Sequence, residues 1–156
     1  MPAAFLIRND SNGVELTLQS ITGMVLVISG GLLRLHCYRI LGRFFTVEVS
    51  LRKGHQLVTT GPYSIVRHPS YTGALLVTIG MPLWFMSGGA WLRESGVLGT
   101  IPGSVIAFWI MAVVSGAVAS VCRRAPLEDQ MLRDEFKREW EDWAQRVPYA
   151  LIPWVY

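Results

Sequence analysis

Three uncharged, apolar segments alternate with polar segments along this sequence. They cover residues 16–33, 72–92 and 97–122, and none of them contains Asp, Glu, Lys or Arg. A helix needs about 20 apolar residues to cross the hydrocarbon core of a bilayer. The second and third segments reach that length, and the first, which includes several Ser and Thr residues, is marginal. The pattern predicts an all-α integral membrane protein with about three transmembrane helices, the first of them near residues 16–35.

The composition agrees with a membrane protein. Hydrophobic residues make up 51% of the 156-residue chain and charged residues 16%, whereas soluble domains carry about 25% charged residues. A water-soluble helical domain is therefore disfavoured, because too few polar residues remain to cover the apolar helices. Cys37 and Cys122 lie far apart without CxxC spacing, which indicates neither a disulfide framework nor a metal site.

The basic residues predict how the chain is oriented in the membrane. Most of them lie in a loop, residues 36–71, and in a tail, residues 123–156. Because basic residues favour the cytosolic side, the loop and the tail are expected to be cytosolic and to lie on one face, where they can meet. The net charge is +3. Because the basic residues flank the apolar segments, contact with a membrane surface explains them more simply than binding to nucleic acid. No repeat or linker divides the chain, and residues 1–156 are expected to form a single membrane domain.

The tail is expected to contain an amphipathic helix at the membrane interface. Pro126 suits the first turn of a helix, and it also argues against a regular helix that includes Arg124. Trp and Tyr residues favour the interface between lipid and water, so we expect the helix to lie on the bilayer surface. Its apolar stripe recurs at helical spacing and consists of Leu132, Phe136, Trp140, Trp143 and Val147.

The polar segment GPYSIVRHPSYTG, residues 61–73, leads into the second apolar segment. Pro69 biases His68 away from helical geometry, and Ser70 can cap a helix that begins near Tyr71. The N-terminus of such a helix offers free N–H groups and positive potential, which suit a carboxylate or a phosphate. The segment therefore predicts a ligand site at the membrane surface.

The aromatic residues of this segment have two possible roles. Tyr63, His68 and Tyr71 could hold a ligand with an aromatic ring and an anionic end. Alternatively, the two tyrosines anchor the chain at the interface, His68 is structural, and Arg67 reaches the lipid phosphates.

A second polar stretch, RRAPLEDQ at residues 123–130, follows the third apolar segment. Arg124 and Glu128 are four residues apart and form an intrahelical ion pair if the helix includes both. Alternatively, Glu128 binds a cationic ligand group and Arg124 an anionic one. The sequence contains no GxGxxG, P-loop or HExxH motif and no histidine spacing typical of metal ligands, so we expect no metal.

Together the two stretches resemble the isoprenylcysteine carboxyl methyltransferase family. The pattern GHxLVxxGPYxxxRHPxYxG, followed by an acidic pair and a VPYxLIPxxY ending, extends over residues 41–156. The resemblance implies methyl transfer from S-adenosylmethionine to the C-terminal carboxylate of a prenylated cysteine, in the endoplasmic reticulum membrane with the site facing the cytosol. The wider superfamily includes phospholipid N-methyltransferases, and sterol reductases, which use a nicotinamide cofactor, carry a similar RHPxY stretch.

The resemblance also implies roles for individual residues. Arg124 matches a family arginine associated with the substrate, and it is our catalytic and substrate-binding candidate because a guanidinium holds a carboxylate by charge-assisted hydrogen bonds. A carboxylate acceptor is ionised at pH 7 and needs no general base, so catalysis rests on alignment and on exclusion of water. The implied contacts of the cofactor are His55, Gln56, Leu57, Val58, Tyr63, His68, Pro69, Ser70, Tyr71 and Glu128.

The chain departs from the family pattern at several positions. The acidic pair is Glu128-Asp129 where two glutamates are usual, and Lys137 stands where a glycine is common. Family members carry additional spans ahead of this region, whereas one marginal span precedes it here. Two alternatives therefore stay open: a phospholipid or other lipid N-methyltransferase, and a truncated, non-catalytic membrane paralog. An amine acceptor must first lose a proton, and the absence of an evident base favours the carboxylate.

Overall fold

The computed structural model describes residues 16–42 and 56–155. Within these residues the chain is helical and contains no strand, which confirms the predicted all-α class. Short 3₁₀ turns occupy Gly61–Ser64 and Val97–Gly99. The helices are α1 (Leu18–Leu41), α2 (Pro69–Phe85), α3 (Trp91–Glu94), α4 (Ile101–Phe136) and α5 (Arg138–Arg146).

Two helices, α1 and α4, are long and apolar enough to cross a membrane by length and composition. Their apolar side chains are largely exposed: Phe108 is 73% exposed and Trp109 is 65% exposed. Exposed apolar surface of this extent suits contact with lipid. The apolar part of α4 is residues 101–122, and the charged residues that follow lie outside it. α2 has 17 residues, and the third predicted span stays a prediction.

The helices end at other residues than the predicted spans, whose membrane bounds stay a prediction. α1 continues to Leu41, so residues 36–41, which were expected in the loop, are helical. α2 ends at Phe85 rather than near residue 92, because the chain turns through Gly88 and Gly89, with φ at Gly89 of 78°. Glycine adopts this left-handed conformation without steric cost. The count of uncharged residues missed the turn because Gly and Ser carry no charge.

The prediction for the tail needs two corrections. α4 runs from its apolar part through Arg124 and Pro126 to Phe136, so the helix that Pro126 was expected to start is already in progress there. A proline removes only one N–H from a helix, and here the turns on both sides continue. The break falls instead at Lys137, whose φ of 47° lies in the region that favours glycine. The predicted single tail helix is thus divided between α4 and α5.

The described residues form two compact units. The first contains residues 16–29 and 75–117, and the second contains residues 30–42, 56–74 and 118–155. α1, α2 and α4 each continue from one unit into the other. The single domain expected over the whole chain stays a prediction.

In the first unit, α1 and α2 approach each other closely at glycine. A Cβ atom added at Gly23 would lie 2.6 Å from the backbone nitrogen of Trp84. The side-chain amide of Gln19 donates a hydrogen bond of 3.1 Å to the carbonyl of Leu83. Small residues permit such backbone contact between membrane helices, so glycine here serves helix packing.

Gly80→Ala is expected to destabilise the first unit by about 1–3 kcal/mol, the usual cost of overpacking. The new Cβ would lie 2.7 Å from the carbonyl oxygen of Gly23 and 2.8 Å from Cβ of Leu26. Gly116→Ala is the matched control, because nothing lies within 4 Å of its Cβ position. Thermal unfolding in detergent micelles measures both variants. Equal melting temperatures for the two would contradict the proposed close contact.

The second unit has an apolar core beneath the loop. Its buried members come from three separate parts of the chain: Cys37 from α1, Tyr63 from the 3₁₀ turn, and Trp143 and Val147 from the tail. Trp143 is only 2% exposed, so its ring packs inside the protein, and the predicted position of the tail helix on the bilayer surface stays a prediction. Its indole N–H donates to the carbonyl of Tyr63 at 3.1 Å, which fixes α5 against the loop. Partly buried residues around this core are Leu33, Ile40, Leu41, Leu57, Val58 and Trp140.

Candidate functional site

The loop and the tail meet, as the sequence predicts, through hydrogen bonds between residues 67–72 and residues 147–151. Besides bonds from the Arg67 side chain, the segments are connected by Arg67 N–H to the carbonyl of Tyr149 (2.9 Å), His68 N–H to the carbonyl of Ala150 (2.8 Å) and the Thr72 hydroxyl to the carbonyl of Leu151 (2.6 Å). These donors and acceptors satisfy backbone groups that would otherwise be unpaired. The tail therefore fixes the conformation of the segment that leads into α2.

Arg67 is bound inside the protein by its side chain. Its Nη2 atom lies 3.0 Å from Oδ2 of Asp129, and Nε lies 3.1 Å from the same oxygen. Its Nη1 atom donates to the carbonyls of Val147 (3.0 Å) and Pro148 (2.6 Å). The side chains of Arg67 and Asp129 are each 15% exposed. The alternative in which Arg67 reaches the lipid phosphates is therefore wrong, because its donors are used within the second unit.

His68 lies between the two carboxylates of the acidic pair. Its Nε2 atom is 3.0 Å from Oδ1 of Asp129, and its Nδ1 atom is 3.7 Å from Oε2 of Glu128. An ionised carboxylate only accepts hydrogen bonds, so Nε2 carries a proton and donates it to Asp129. The longer distance is not a hydrogen bond. Glu128, whose side chain is 37% exposed, therefore keeps accepting capacity for another group.

The contacts of Asp129 determine its ionisation. Burial raises the pKa of its carboxyl group, but hydrogen bonds and positive charge from His68 and Arg67 outweigh burial and hold the pKa below its ordinary value of 3.8. Asp129 is therefore an ionised, fully engaged carboxylate at neutral pH.

Tyr71, Arg124 and Glu128 come together at the start of α2. The phenol of Tyr71 is within hydrogen-bonding reach of both Glu128 and Arg124. The ring of Tyr71 lies beside that of His68, with centroids 5.6 Å apart and planes inclined by 30°. Since α4 is continuous here, Arg124 and Glu128 share one helix face. The site thus presents a guanidinium, a carboxylate and two aromatic rings.

Tyr63 faces the core of the second unit. It is 8% exposed, and burial raises the pKa of its phenol, with Cys37 adding to the rise. The phenol therefore stays neutral at physiological pH, and a hydrogen bond joins it to Cys37.

The remaining predicted site residues lie in different surroundings. Pro69 is fully buried and is the first residue of α2, so the helix begins earlier than the predicted start near Tyr71. The carbonyl of His68 accepts the N–H groups of Tyr71 and Thr72, and the predicted cap at Ser70 is wrong. Gln56 is exposed, Leu57, Val58 and Ser70 are half-buried, and His55 lies outside the described residues.

Sequence reasoning assigned no site residue to α1, yet three of its residues border this region. Arg34 Nη1 donates to the carbonyl of Ser70 at 3.1 Å, and its Nη2 donates to the hydroxyl of Tyr38. Cys37 is completely buried. The available signal was the spacing of Arg34 and Tyr38, which places them on one helix face. A charged residue that continues an apolar helix is a second signal.

An open groove of about 400 Å³ lies next to the site on the side of α5. Asp129 in its wall already binds Arg67, and Arg133 pairs with Glu141 at 2.8 Å. The buried indole N–H of Trp140 lacks a partner among the residues that the structure describes. The lining residues are Asp129, Gln130, Arg133, Asp134 and Trp140. None of the predicted cofactor contacts is among them, and we do not place the predicted site in this groove.

The fold and the site define a helical protein of membrane type with an ionic site where the loop meets α4. Comparison with known proteins agrees with this class. The sequence model of the isoprenylcysteine carboxyl methyltransferase family matches residues 22–92, which include most of α1, the loop and α2. These comparisons confirm the resemblance to that family.

Two individual relatives are named as methyltransferases of this family, and a third is a sterol reductase. The chain is 34% identical to protein-S-isoprenylcysteine O-methyltransferase B of Arabidopsis thaliana over 135 residues, 85% of this chain and 58% of the relative. It is 30% identical to the probable protein-S-isoprenylcysteine O-methyltransferase of Oryza sativa subsp. indica, over 87% of this chain and 62% of the relative. A delta(14)-sterol reductase of Mus musculus is 27% identical over 66% of this chain and 20% of the reductase. The chain thus spans about three fifths of the methyltransferase relatives.

Proposed function

We propose that this protein transfers a methyl group from S-adenosylmethionine to the C-terminal carboxylate of a prenylated cysteine. The observation that carries the proposal is the meeting of Tyr71, Arg124 and Glu128 at the start of α2. This cluster combines one cationic and one anionic group. Both are needed to bind two charged ligands, the methyl donor and the prenylated cysteine. The names of the methyltransferase relatives support the same reaction.

The residues of the cluster fit this methyl donor. S-adenosylmethionine has an adenine ring, a carboxylate, an ammonium group and a sulfonium centre. The exposed part of Glu128 suits the ammonium, because its contact with His68 is too long for a hydrogen bond. The rings of His68 and Tyr71 offer apolar faces, and the exposed Gln56 offers a polar group. When bound, the donor supplies a methyl group that passes to an acceptor oxygen while the electrons of the broken carbon–sulfur bond return to sulfur.

Arg124 is our candidate for holding the acceptor. Its guanidinium can bind the acceptor carboxylate by charge-assisted hydrogen bonds and align an oxygen with the methyl group. The acceptor is ionised at pH 7, so the site needs no base. His68 donates its Nε2 proton to Asp129, which makes that nitrogen unsuitable as a base for an amine acceptor. The preference for a carboxyl methyltransferase over an N-methyltransferase is supported by the names of the relatives.

The membrane location suits a prenylated substrate. Each buried CH₂ group contributes roughly 0.8 kcal/mol to membrane partitioning, so a prenyl chain stays in lipid. α1 and α4 present exposed apolar side chains, and Arg124 and Glu128 follow the apolar part of α4 along the chain. We place the site on the cytosolic face of the endoplasmic reticulum membrane, in accordance with the basic loop and tail.

The direct test is methyl transfer in membranes that contain this chain. The inputs are S-adenosylmethionine labelled in its methyl group and a farnesylcysteine analogue, and the readout is label released by mild base. Base-labile product supports the proposal, since a methyl ester hydrolyses and an N-methyl group does not. Base-stable label in lipid would replace it with the N-methyltransferase alternative. Absence of both donor binding and transfer would identify a non-catalytic paralog.

Arg124→Ala is expected to raise the KM for the acceptor by about 10- to 100-fold, the range for loss of a charged hydrogen bond. Binding of the methyl donor should change little, because Glu128 remains. Arg123→Ala is the matched control, since Arg123 is an exposed arginine next in sequence. A rise in the Kd of the donor with an unchanged KM for the acceptor would contradict the role of Arg124.

A further inference from the structure

Arg34 lies within α1, a helix apolar enough to span a membrane. It is the first charged residue after the uncharged residues 16–33, and a long basic side chain at the end of an apolar stretch can reach a polar group. The guanidinium of Arg34 points toward the candidate site. It is directed to Ser70, in the first turn of α2, with Nη1 3.1 Å from the Ser70 carbonyl oxygen.

In the described part of the chain, the contacts that hold Arg34 are made with neutral groups. Besides the Ser70 carbonyl, Nη2 donates to the hydroxyl of Tyr38, and the guanidinium lies 5.3 Å from the centroid of the Tyr38 ring. Within the residues that the structure describes, no carboxylate forms an ion pair with Arg34. Among these residues the positive charge of Arg34 is therefore oriented by hydrogen bonds and has no ionic partner.

The position of Arg34 is fixed by close helix packing. A Cβ atom at Gly73 would lie 2.7 Å from the carbonyl oxygen of Gly30 and 2.8 Å from Cγ of Arg34. This contact keeps the stem of Arg34 against α2 at Gly73, while the guanidinium reaches Ser70. Both residues lie close in sequence to Tyr71, whose phenol reaches Glu128 and Arg124. Arg34 thus adds a guanidinium near this cluster besides that of Arg124, while Arg67 is already paired with Asp129.

The charges of the proposed ligands give this further cation a role. The amino-acid part of the methyl donor carries one ammonium and one carboxylate, and the acceptor carries a further carboxylate. Glu128 suits the ammonium and Arg124 the acceptor carboxylate, which leaves the carboxylate of the donor without a partner. We propose that Arg34 binds the carboxylate of the methyl donor. This assignment rests on the proposed function and adds a cofactor-binding residue that the loop motif does not contain.

Ligand binding to the full chain in detergent or nanodiscs tests the assignment without turnover. S-adenosylhomocysteine, which retains the carboxylate and the ammonium, should bind Arg34→Gln about 10- to 100-fold more weakly than wild type, the range for a lost charged hydrogen bond. Arg34→Lys should lie between the two, because it retains the charge but not the planar fork. Arg39→Gln is the matched control, since Arg39 is an exposed arginine of the same helix, and its affinity should stay within about twofold.

Decarboxylated S-adenosylmethionine separates recognition of the carboxylate from a structural effect. Arg34→Gln should bind this ligand as well as wild type does, which also shows that the variant is folded. An equal loss for both ligands, or no loss for either, would overturn the assignment. Unchanged donor binding with a raised KM for the acceptor would also overturn it, because Arg34 would then bind the carboxylate of the acceptor and not that of the donor. Failure of wild type to bind either ligand would instead refute the proposed function, and the assignment with it.

Discussion

Glu128→Gln is expected to weaken binding of the methyl donor by about 10- to 100-fold and to remove most methyl transfer. The proposed contact joins a carboxylate to an ammonium group, and a charged hydrogen bond contributes about 1.5–3 kcal/mol, which corresponds to that range in affinity. Glutamine keeps the shape of the side chain and can still accept a hydrogen bond from Tyr71. The change therefore removes the charge and little else.

Glu135→Gln supplies the matched control for this experiment. Glu135 is an exposed glutamate on the same helix, and its replacement should leave donor affinity within about twofold. Isothermal calorimetry with S-adenosylhomocysteine gives the affinity, and thermal unfolding of each variant shows that the fold is kept. An unchanged affinity in Glu128→Gln would remove Glu128 from the cofactor site. Loss of melting temperature without a specific loss of affinity would give it a structural role instead.

The helices of this protein were predictable because length and charge are local properties. The uncharged segments correspond to α1, α2 and the apolar part of α4. Their ends were not predictable in the same way. The turn at Gly88 and Gly89 lies inside an uncharged segment, whereas Arg34 and Arg39 lie inside a helix, so charge does not mark where a helix stops. Pro126 is a further case, because the helical turns on both sides override its local preference.

The candidate site was predictable only as far as its motifs extend. The loop and the tail were placed together by charge alone, and their hydrogen bonds confirm that contact. The partners of Arg67 were not evident, since nothing local in RHPSY indicates a carboxylate 62 positions later. The contribution of α1 to the site was missed for the same reason. Arg34 reaches Ser70 because the backbones of α1 and α2 come close at Gly30 and Gly73. Pairings of this kind depend on tertiary structure.

The second large effect is expected from Arg67→Ala, which should reduce the free energy of unfolding by about 3–5 kcal/mol, the usual cost of breaking a buried ion pair. The Asp129 carboxylate would keep only its bond to His68 while remaining 15% exposed. Two carbonyls of the tail, at Val147 and Pro148, would also lose their donor. Donor binding should fall with stability, because the tail would no longer hold the segment that carries His68 and Tyr71.

Arg133→Ala is the matched control for the buried pair. Arg133 pairs with Glu141 at 2.8 Å, but these side chains are 60% and 48% exposed. An exposed pair contributes about 0–1 kcal/mol, so this variant should unfold almost as wild type does. Chemical denaturation in detergent compares the two variants under identical conditions. Similar losses from both would show that the Arg67 pair is no more than a surface contact.

Acid titration of stability gives an independent test of the same pair. The pKa of Asp129 in the folded protein lies below its ordinary value of 3.8, so its ionised form stabilises the fold at pH values above that value. The contribution is lost as pH falls through the lowered pKa, because protonation then occurs in both folded and unfolded states. The stability difference between wild type and Asp129→Asn should therefore be constant near neutral pH and shrink below pH 3.8. A difference that stays constant into strong acid would mean that Asp129 acts through shape and not through its charge.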